Sequence, residues 1–493
     1  MPENVTRIPS HTITDTQSTR LGLAVTADLA RHPGHSGFYP LSTGLDAFVA
    51  RIALIEAADR SLDVQYYIWH ADETGMIMMQ RILAAADRGV RVRLLLDDLD
   101  TAGKDAAIQI LDDHPNIEIR LFNPFNYRKL RGLDFLTGLR RVNRRMHNKS
   151  LTADNQTTVV GGRNIGNEYF DAVGETVFTD LDVLSVGPVV EAVSKAFDRY
   201  WNSDWAVPAS AFSDGGIDIG SLDDLRNRLH AFLDRETDSA YVQALKDTQL
   251  SRKIRAGDLV FSWGDAELIY DAPEKVEAEA VNAATHVGPQ LHAIVDQTRQ
   301  ELIVVSPYFV PGGALVGYFG ELVERGVRVR ILTNALAASD VSIVHAGYMR
   351  YRKDLLRNGV ELYEFKPTPV AAREKRKSPG FGSSGTSSLH AKVFGIDRQQ
   401  LFVGSFNLDP RSVSLNTEMG VWFRNADLGR LLGETFDSEI DRVAYRLTLE
   451  GSELRWQSRE EGKPVTYTHE PETSWWRRFT TRLLSLVVVE SLL

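Results

Sequence analysis

An internal duplication constrains this chain more than any other feature. The segments Arg88-Gly89-Val90-Arg91-Val92-Arg93 and Arg325-Gly326-Val327-Arg328-Val329-Arg330 are identical and lie 237 positions apart. Each occupies the same place in a local pattern. In the first copy Ser61 to Trp69 alternates with β character, Met76 to Ala86 carries helical apolar spacing, and Gly89 ends the helix before Val90 to Leu96. In the second, Leu302 to Phe309 reads as a buried strand, Leu315 to Glu324 as a helix, Gly326 as its stop and Val327 to Leu332 as the next strand. Strand–helix–strand units with short connections favour parallel or mixed sheets covered by helices. The expected fold is therefore α/β, built from two similar halves.

The 493 residues give room for about three average domains. The expected order is a polar N-terminal segment (1–36), a first half (37–204), a helical connector (205–256), a second half (257–450) and a tail (451–493). The connector carries Leu222, Leu225, Leu229 and Phe232 at helical spacing. Val260 to Trp263 and Leu268 to Tyr270 read as the first strands of the second half. Residues 366–388 combine Pro367 and Pro369, a basic run from Arg373 to Lys377, and Gly380, Gly382 and Gly385 among serines. That composition predicts a mobile loop, a gate or a bare linker alike.

Both halves carry the pattern HxKxxxxD followed by a glycine-containing turn and an Asn. The first is His147, Lys149 and Asp154, with Gly161-Gly162-Arg163-Asn164; the second is His390, Lys392 and Asp397, with Gly404-Ser405-Phe406-Asn407. Every matched position differs by 243. A single HxKxxxxD arises by chance in roughly four of a hundred chains of this length, so one copy alone is weak evidence. Two copies at equivalent points of an independent repeat are strong evidence.

The residue types make chemical sense. His and Lys two apart on a strand share a face, so each half presents an imidazole beside an ammonium. Asn164 and Asn407 follow apolar strands and glycine turns whose backbone amides can cradle an anion. If the halves pack about a pseudo-twofold axis, one cleft holds two His, two Lys and two Asn. Such a site suits a phosphodiester, with lysines supplying the charge that a metal ion supplies elsewhere. One His attacks phosphorus and the other protonates the departing alcohol, then activates the incoming hydroxyl. Each imidazole needs an orienting acceptor. Asp182 is nominated for the first half and Glu418 for the second. Asp154 and Asp397 complete the catalytic motif, but five residues beyond the Lys they fall at a strand-end turn, which makes them structural members of the set.

These motifs resemble the phospholipase D superfamily, whose mark is the duplicated HxKxxxxD with a downstream GG/GS-x-N. The resemblance runs from about residue 37 to the C-terminus. Gln65 to Trp69, Leu121 to Phe125, Asn143 to Lys149, Val344 to Tyr348 and Asp409 to Ser412 are similar to the bacterial cardiolipin synthase C branch, as is the Trp-rich tail. The resemblance implies two pseudo-twofold-related α-β-α halves with mixed sheets and a shared cleft. It implies phosphatidyl transfer onto His147 and then to a hydroxyl of phosphatidylglycerol, with His390 as acid and base. Phosphatidylethanolamine is a further candidate donor, and hydrolysis by the same intermediate is the nearest alternative. It also implies peripheral attachment to the bacterial inner membrane.

Composition bears on the remaining classes. With 56 Lys+Arg against 66 Asp+Glu the net charge is −10, which argues against a nuclease and against a nucleic-acid partner. The absence of cysteine excludes disulfide scaffolds, thiolate zinc sites and Cys nucleophiles. No cofactor is called for, and no protein partner is indicated. Asp97, Asp98 and Asp100 read as caps at a strand end rather than as a metal site. Residues 1–20 are polar and lack a secretory signal, and no segment offers the roughly 20 apolar residues of a membrane span. Between Arg128 and Lys149, eight basic residues face one acid, Asp134, with leucines interleaved. That segment reads as a lipid-attracting lip or as a solvated helix face. Trp475-Trp476-Arg477-Arg478-Phe479 suits a lipid–water interface or a helix docked on the protein. His345, with Tyr348, Arg350, Arg352 and Lys353 nearby, reads as a headgroup contact or as a satisfied structural histidine.

Overall fold

The computed structural model describes residues 5–172, 176–212, 220–236, 239–282, 284–339, 341–367, 386–460 and 462–487. The expected loop, at 368–385, lies outside the described residues, as does the end of the tail from Val488.

Two sheets organise the chain. The first runs, in spatial order, Ser262–Gly264, Ser36–Leu41, Asp182–Val186, Thr157–Gly161, Ser150–Ala153, Ser61–Tyr66, Arg91–Asp97, Ile117–Phe122 and Ala206–Pro208. The second runs Ala266–Tyr270, Met419–Arg424, Gln400–Gly404, Val393–Ile396, Glu301–Val305, Arg328–Asn334, Glu361–Phe365, Ala444–Glu450, Glu453–Glu460 and Lys463–Tyr467. Three neighbouring strands in each are parallel and the flanking pairs are antiparallel. The mixed sheets follow from the duplicated strand–helix–strand units. After the helices Glu73–Asp87 and Gly312–Glu324, Gly89 (φ +96°) and Gly326 (φ +86°) take the left-handed conformation that turns the chain back into the sheet.

The sheets share an apolar core. Phe38, Val160 and Val183 from the first pack in one cluster with Leu268, Val305, Val393, Val403 and Val421 from the second. Phe38 stacks on Phe423 at 4.3 Å between ring centroids.

Several boundaries differ from the sequence reading. Ser262–Gly264, expected in the second half, pairs with Ser36–Leu41 of the first. Only Asp265 separates it from Ala266–Tyr270, so the chain steps from the edge of one sheet to the edge of the other. Ala206–Pro208, expected in the connector, closes the opposite edge of the first sheet. The helical part of the connector is Leu222–Glu236, Ala240–Lys246 and Gln249–Ala256. In the tail, Glu453–Glu460 and Lys463–Tyr467 extend the second sheet before the helix Trp475–Val487, with Trp456 and Ser458 buried on alternate positions. The N-terminal segment is polar but ordered against the first half. Thr12 N–H donates to Asp198 at 2.9 Å, and Arg93 donates to the Ser10 carbonyl at 2.9 Å.

Two short cross-half pairings position the chemistry. Thr386–Leu389 runs parallel to Thr176–Thr179, and Met146 bridges Thr417 in parallel. Each pairing delivers one histidine from one half and one acid from the other.

Candidate active site

His147 N–H donates to the Thr417 carbonyl at 2.8 Å, and the next residue, Glu418, receives the His147 ring through Nδ1 at 2.8 Å. The mirror image holds at the other histidine. His390 N–H donates to the Thr179 carbonyl at 2.8 Å, and Asp180 accepts from His390 Nδ1 at 2.6 Å. A carboxylate on Nδ1 fixes the tautomer and leaves Nε2 for chemistry. Lys149 Nζ donates to the His147 carbonyl at 2.6 Å, and Lys392 Nζ lies 2.9 Å from His390 Nδ1 and 3.1 Å from Nε2. Tyr67 meets the His147 ring edge-on at 5.0 Å, and Tyr169 meets His390 at 5.3 Å.

The two sets share one electrostatic environment. Burial, then the Lys149 and Lys392 ammonium groups, hold His147 well below the usual imidazole range. Burial and Lys392 push His390 down to about 4, with Lys149 adding to the effect. Burial also lowers Lys149, and Lys392 contributes against the opposing pull of Glu418 and Asp180. Burial opposes ionisation of Asp180, yet His390 and Lys392 outweigh it and keep that carboxylate below its usual range. Glu418 is raised by burial, partly offset by Lys149 and by the hydroxyls of Ser405 and Ser412. Those hydroxyls donate to Glu418 at 2.5 and 2.7 Å. The two imidazoles thus sit among two lysines and two carboxylates in one buried cluster.

The family described as "Cardiolipin synthase, PLD-like domain" matches residues 52–201 and 291–440, one stretch in each half. The chain belongs to this phospholipase D-like family. It is 43% identical over 475 residues to cardiolipin synthase C of Escherichia coli (strain K12), covering 96% of this chain and all of that one. Cardiolipin synthase B of the same strain is 24% identical over 403 residues, 81% of this chain and 79% of that protein. In fold it is similar to the phosphatidylserine synthase of Haemophilus influenzae Rd KW20, at a TM-score of 0.58 and 14% identity, over 96% of this chain and 100% of that one.

The phospholipase D-like site corrects the nominated acceptors. Glu418 serves the histidine of the opposite half, not its own. Asp182 touches neither imidazole; it accepts from Arg51 at 2.8 Å and lies 3.4 Å from Arg163, all three buried. The strand boundary is the reason: Asp180 lies before Asp182–Val186 and is free of the pleat, so it reaches His390, whereas Asp182 is already paired in the sheet. Sequence reasoning misses Asp180, although the duplication contains the signal. Thr179-Asp180 and Thr417-Glu418 are both a Thr followed by an acid, 238 positions apart.

Asp154 and Asp397 hold turns. At φ +52° each, they accept from the backbone amides of residues 59–61 and 299–301, at the start of the strands Ser61–Tyr66 and Glu301–Val305. Asn164 accepts from Ile68 N–H at 3.3 Å and donates to the Tyr169 hydroxyl at 3.0 Å. Asn407 is buried, and its Oδ1 has no hydrogen-bond partner among the described residues. In the glycine turns three of the backbone amides are already engaged. Gly162, Gly404 and Ser405 N–H groups donate to the carbonyls of Leu181, Lys392 and Met419. The glycines serve close approach, since a Cβ on Gly162 would lie 2.3 Å from Asp180 Oδ1.

The basic segment is also different from a cationic lip. Arg128 and Arg131 pair with Asp98, Arg141 with Asp134, Arg145 with Asp97, and Arg144 donates to the carbonyls of Lys275 and Ala278. Apolar groups face solvent beside the exposed Arg140: Tyr127, Leu130, Leu133, Phe135, Leu136 and Leu139 are all exposed. Asp97, Asp98 and Asp100 cap backbone amides of Leu99, Phe125 and Trp69. His345 is buried 3.9 Å from Glu470, which pairs with Arg352 at 2.6 Å, so it belongs to a structural network.

Proposed function

We propose that this protein transfers a phosphatidyl group to a hydroxyl of phosphatidylglycerol and so makes cardiolipin. The observation that carries the reading is that a chain 43% identical to a cardiolipin synthase from end to end holds both histidines on acids of the opposite half.

A phosphodiester monoanion entering between Lys149 and Lys392 offsets the lysine charges and raises both imidazoles toward their ordinary range. His147 Nε2 attacks phosphorus while its Nδ1–H stays on Glu418, forming a P–N bond. His390, protonated and held by Asp180, gives its Nε2 proton to the leaving alcohol as the P–O bond breaks. The acceptor hydroxyl of phosphatidylglycerol then loses its proton to His390 and attacks phosphorus, releasing His147. Lys149, Lys392 and Asn407 are the phosphoryl contacts, and Asn164 has one amide hydrogen left for the same task. No step draws on a metal ion. Phosphatidylglycerol and phosphatidylethanolamine both fit as donors.

Attachment is peripheral in this reading, on the bacterial inner membrane. No helix among the described residues is long and apolar enough to cross a membrane. The exposed apolar groups at Tyr127 to Leu139 and on the tail helix support contact with a bilayer surface.

The test is incubation of the purified protein with labelled phosphatidylglycerol, with and without phosphatidylethanolamine, followed by separation of the lipid products. Labelled cardiolipin is expected. Phosphatidic acid alone would assign the protein to hydrolysis.

A further inference from the structure

A second concave feature lies beside the catalytic cluster. A cavity of about 360 Å³ opens at the carboxyl ends of the strands Ser61–Tyr66 and Arg91–Asp97. Parallel strands in open α/β sheets receive ligands at that end. The volume falls within the range of about 300–1,000 Å³ found for small-molecule sites.

Its walls are apolar. Trp69, Met76, Met79, Ile108, Leu225 and Leu229 are among the residues that line it. Leu225 and Leu229 come from the connector helix Leu222–Glu236, which packs over the helices Glu73–Asp87 and Asp105–Asp112 and closes one side. Of the ionic groups at the cavity, Arg228 is exposed and donates to the Asp224 carbonyl at 3.4 Å, and the others have partners within the fold. Asp97 accepts from the Met146 amide, Asp100 holds the Trp69 amide and Lys104, and His70 lies 3.1 Å from Glu168. Apart from Arg228 the lining suits a hydrocarbon ligand, because an apolar cavity stays dry and takes apolar guests.

Tyr67 connects the cavity to the chemistry. It lines the cavity, meets the His147 ring at 5.0 Å and carries Lys149 Nζ 5.3 Å from its ring centre. One side of this residue is therefore the phosphate site and the other is the apolar chamber. A molecule spanning both must be charged at one end and aliphatic next to it.

We propose that this cavity holds a fatty acyl chain of the phospholipid whose phosphate lies between His147 and His390. The assignment rests on the phosphatidyl-transfer reading above, and it gives the connector helix a role as the cover of a lipid-binding chamber.

The experiment uses the full chain and phosphatidylglycerol bearing a photoactivatable diazirine on one acyl chain. Irradiation is expected to label Trp69, Met76, Met79 or the connector near Leu225 and Leu229. Labelling confined to other parts of the protein overturns the proposal. A second measurement compares kcat/KM for dioleoyl and dihexanoyl phosphatidylglycerol in the variant Met79→Trp. The ratio of long-chain to short-chain turnover is expected to fall by about tenfold or more against the wild type. An unchanged ratio in a variant that melts like the wild type overturns the proposal; if the variant does not fold, the labelling of the wild type decides. Labelling of the chamber in a protein that converts neither lipid supports the chamber and removes the transfer reading, so the two failures are distinct.

Discussion

Glu418 in the second half accepts a 2.8 Å hydrogen bond from His147 in the first. Asp180 in the first half returns the arrangement to His390 at 2.6 Å. Neither half contains a complete histidine–acid pair. Each histidine–acid pair is therefore assembled across the two halves, and the parallel pairings at Met146–Thr417 and at Thr386–Leu389 set their register.

Replacing either acid by its amide removes the charge that holds the imidazole in its working tautomer. Glu418→Gln and Asp180→Asn are each expected to lower kcat by about 10²–10⁴-fold, the usual contribution of a positioned acid–base pair. KM changes little, because the lysines that meet the phosphate are untouched. Steady-state kinetics on phosphatidylglycerol would check this. The double variant should lose less than the product of the single losses, since the two pairs act as a unit. Near-normal kcat in Glu418→Gln would mean that His147 is oriented by another group.

Asp182 gives the opposite expectation. Its carboxylate faces the buried Arg51 guanidinium at 2.8 Å. Asp182→Asn leaves that cation unpaired in the core, at a cost of about 3–5 kcal/mol. Urea unfolding should show the loss as a lower midpoint. Enzyme that remains folded keeps most of its kcat, which separates this acid from Asp180.

The chain announces its architecture through repetition. The identical tags at Arg88 and Arg325 mark helix stops and strand starts, and each gives the correct sheet order around it because local glycine chemistry and β alternation decide such turns. The His–Lys pairs are legible for the same reason. What cannot be read is any relationship created by packing one half on the other. His147 and Glu418 are 271 positions apart, and no periodicity links a residue to an acid in a different sheet. Asp182 looks correct in the sequence because it opens the right strand, but there it is paired in the sheet and held by Arg51, and the residue that reaches the imidazole lies two positions earlier, outside the strand. The basic stretch from Arg128 to Arg145 misleads in another way. Composition reports how many cations are present, not that Arg128, Arg131, Arg141 and Arg145 are already paired with Asp97, Asp98 and Asp134.

The stability contributed by His390 and His147 should fall in mild acid. His390 is depressed to about 4 in the folded protein by burial and by Lys392, and His147 is depressed as well. An unfolded imidazole titrates near 6.5, and each pH unit between the folded and unfolded midpoints is worth about 1.36 kcal/mol. Between roughly pH 6.5 and pH 4 the unfolded chain binds protons at these residues that the folded chain refuses, so their contribution is complete above the window and is lost as the pH drops through it. Asp271 and Asp409 oppose this trend. Burial raises both to about 7, so the folded protein gains relative stability as they protonate below that value. Comparing wild type with His390→Gln isolates the imidazole. The difference in unfolding free energy between the two proteins should change by about 3 kcal/mol from pH 7 to pH 4. A constant difference would show that His390 is not held neutral.

The tail helix Trp475–Val487 is amphipathic in an inverted sense. Its polar side docks: Arg477 donates to the Ser339 carbonyl at 3.0 Å, Arg350 donates to the Ser485 carbonyl at 2.6 Å, and Thr481 is buried. Its apolar side faces outward, with Trp475 58%, Trp476 67% and Phe479 47% exposed. A water-facing helix gains nothing from that orientation, whereas a bilayer surface buries all three rings, and full burial of one such side chain is worth about 1.5–3 kcal/mol. Changing Trp475, Trp476 and Phe479 to Ser should therefore weaken binding to phosphatidylglycerol vesicles by about 100-fold or more, measured by co-sedimentation. The melting temperature in the absence of lipid should stay the same, because these side chains are exposed and the docking contacts are made by other residues. Unchanged vesicle binding would assign membrane contact to the exposed leucines between Leu130 and Leu139 instead.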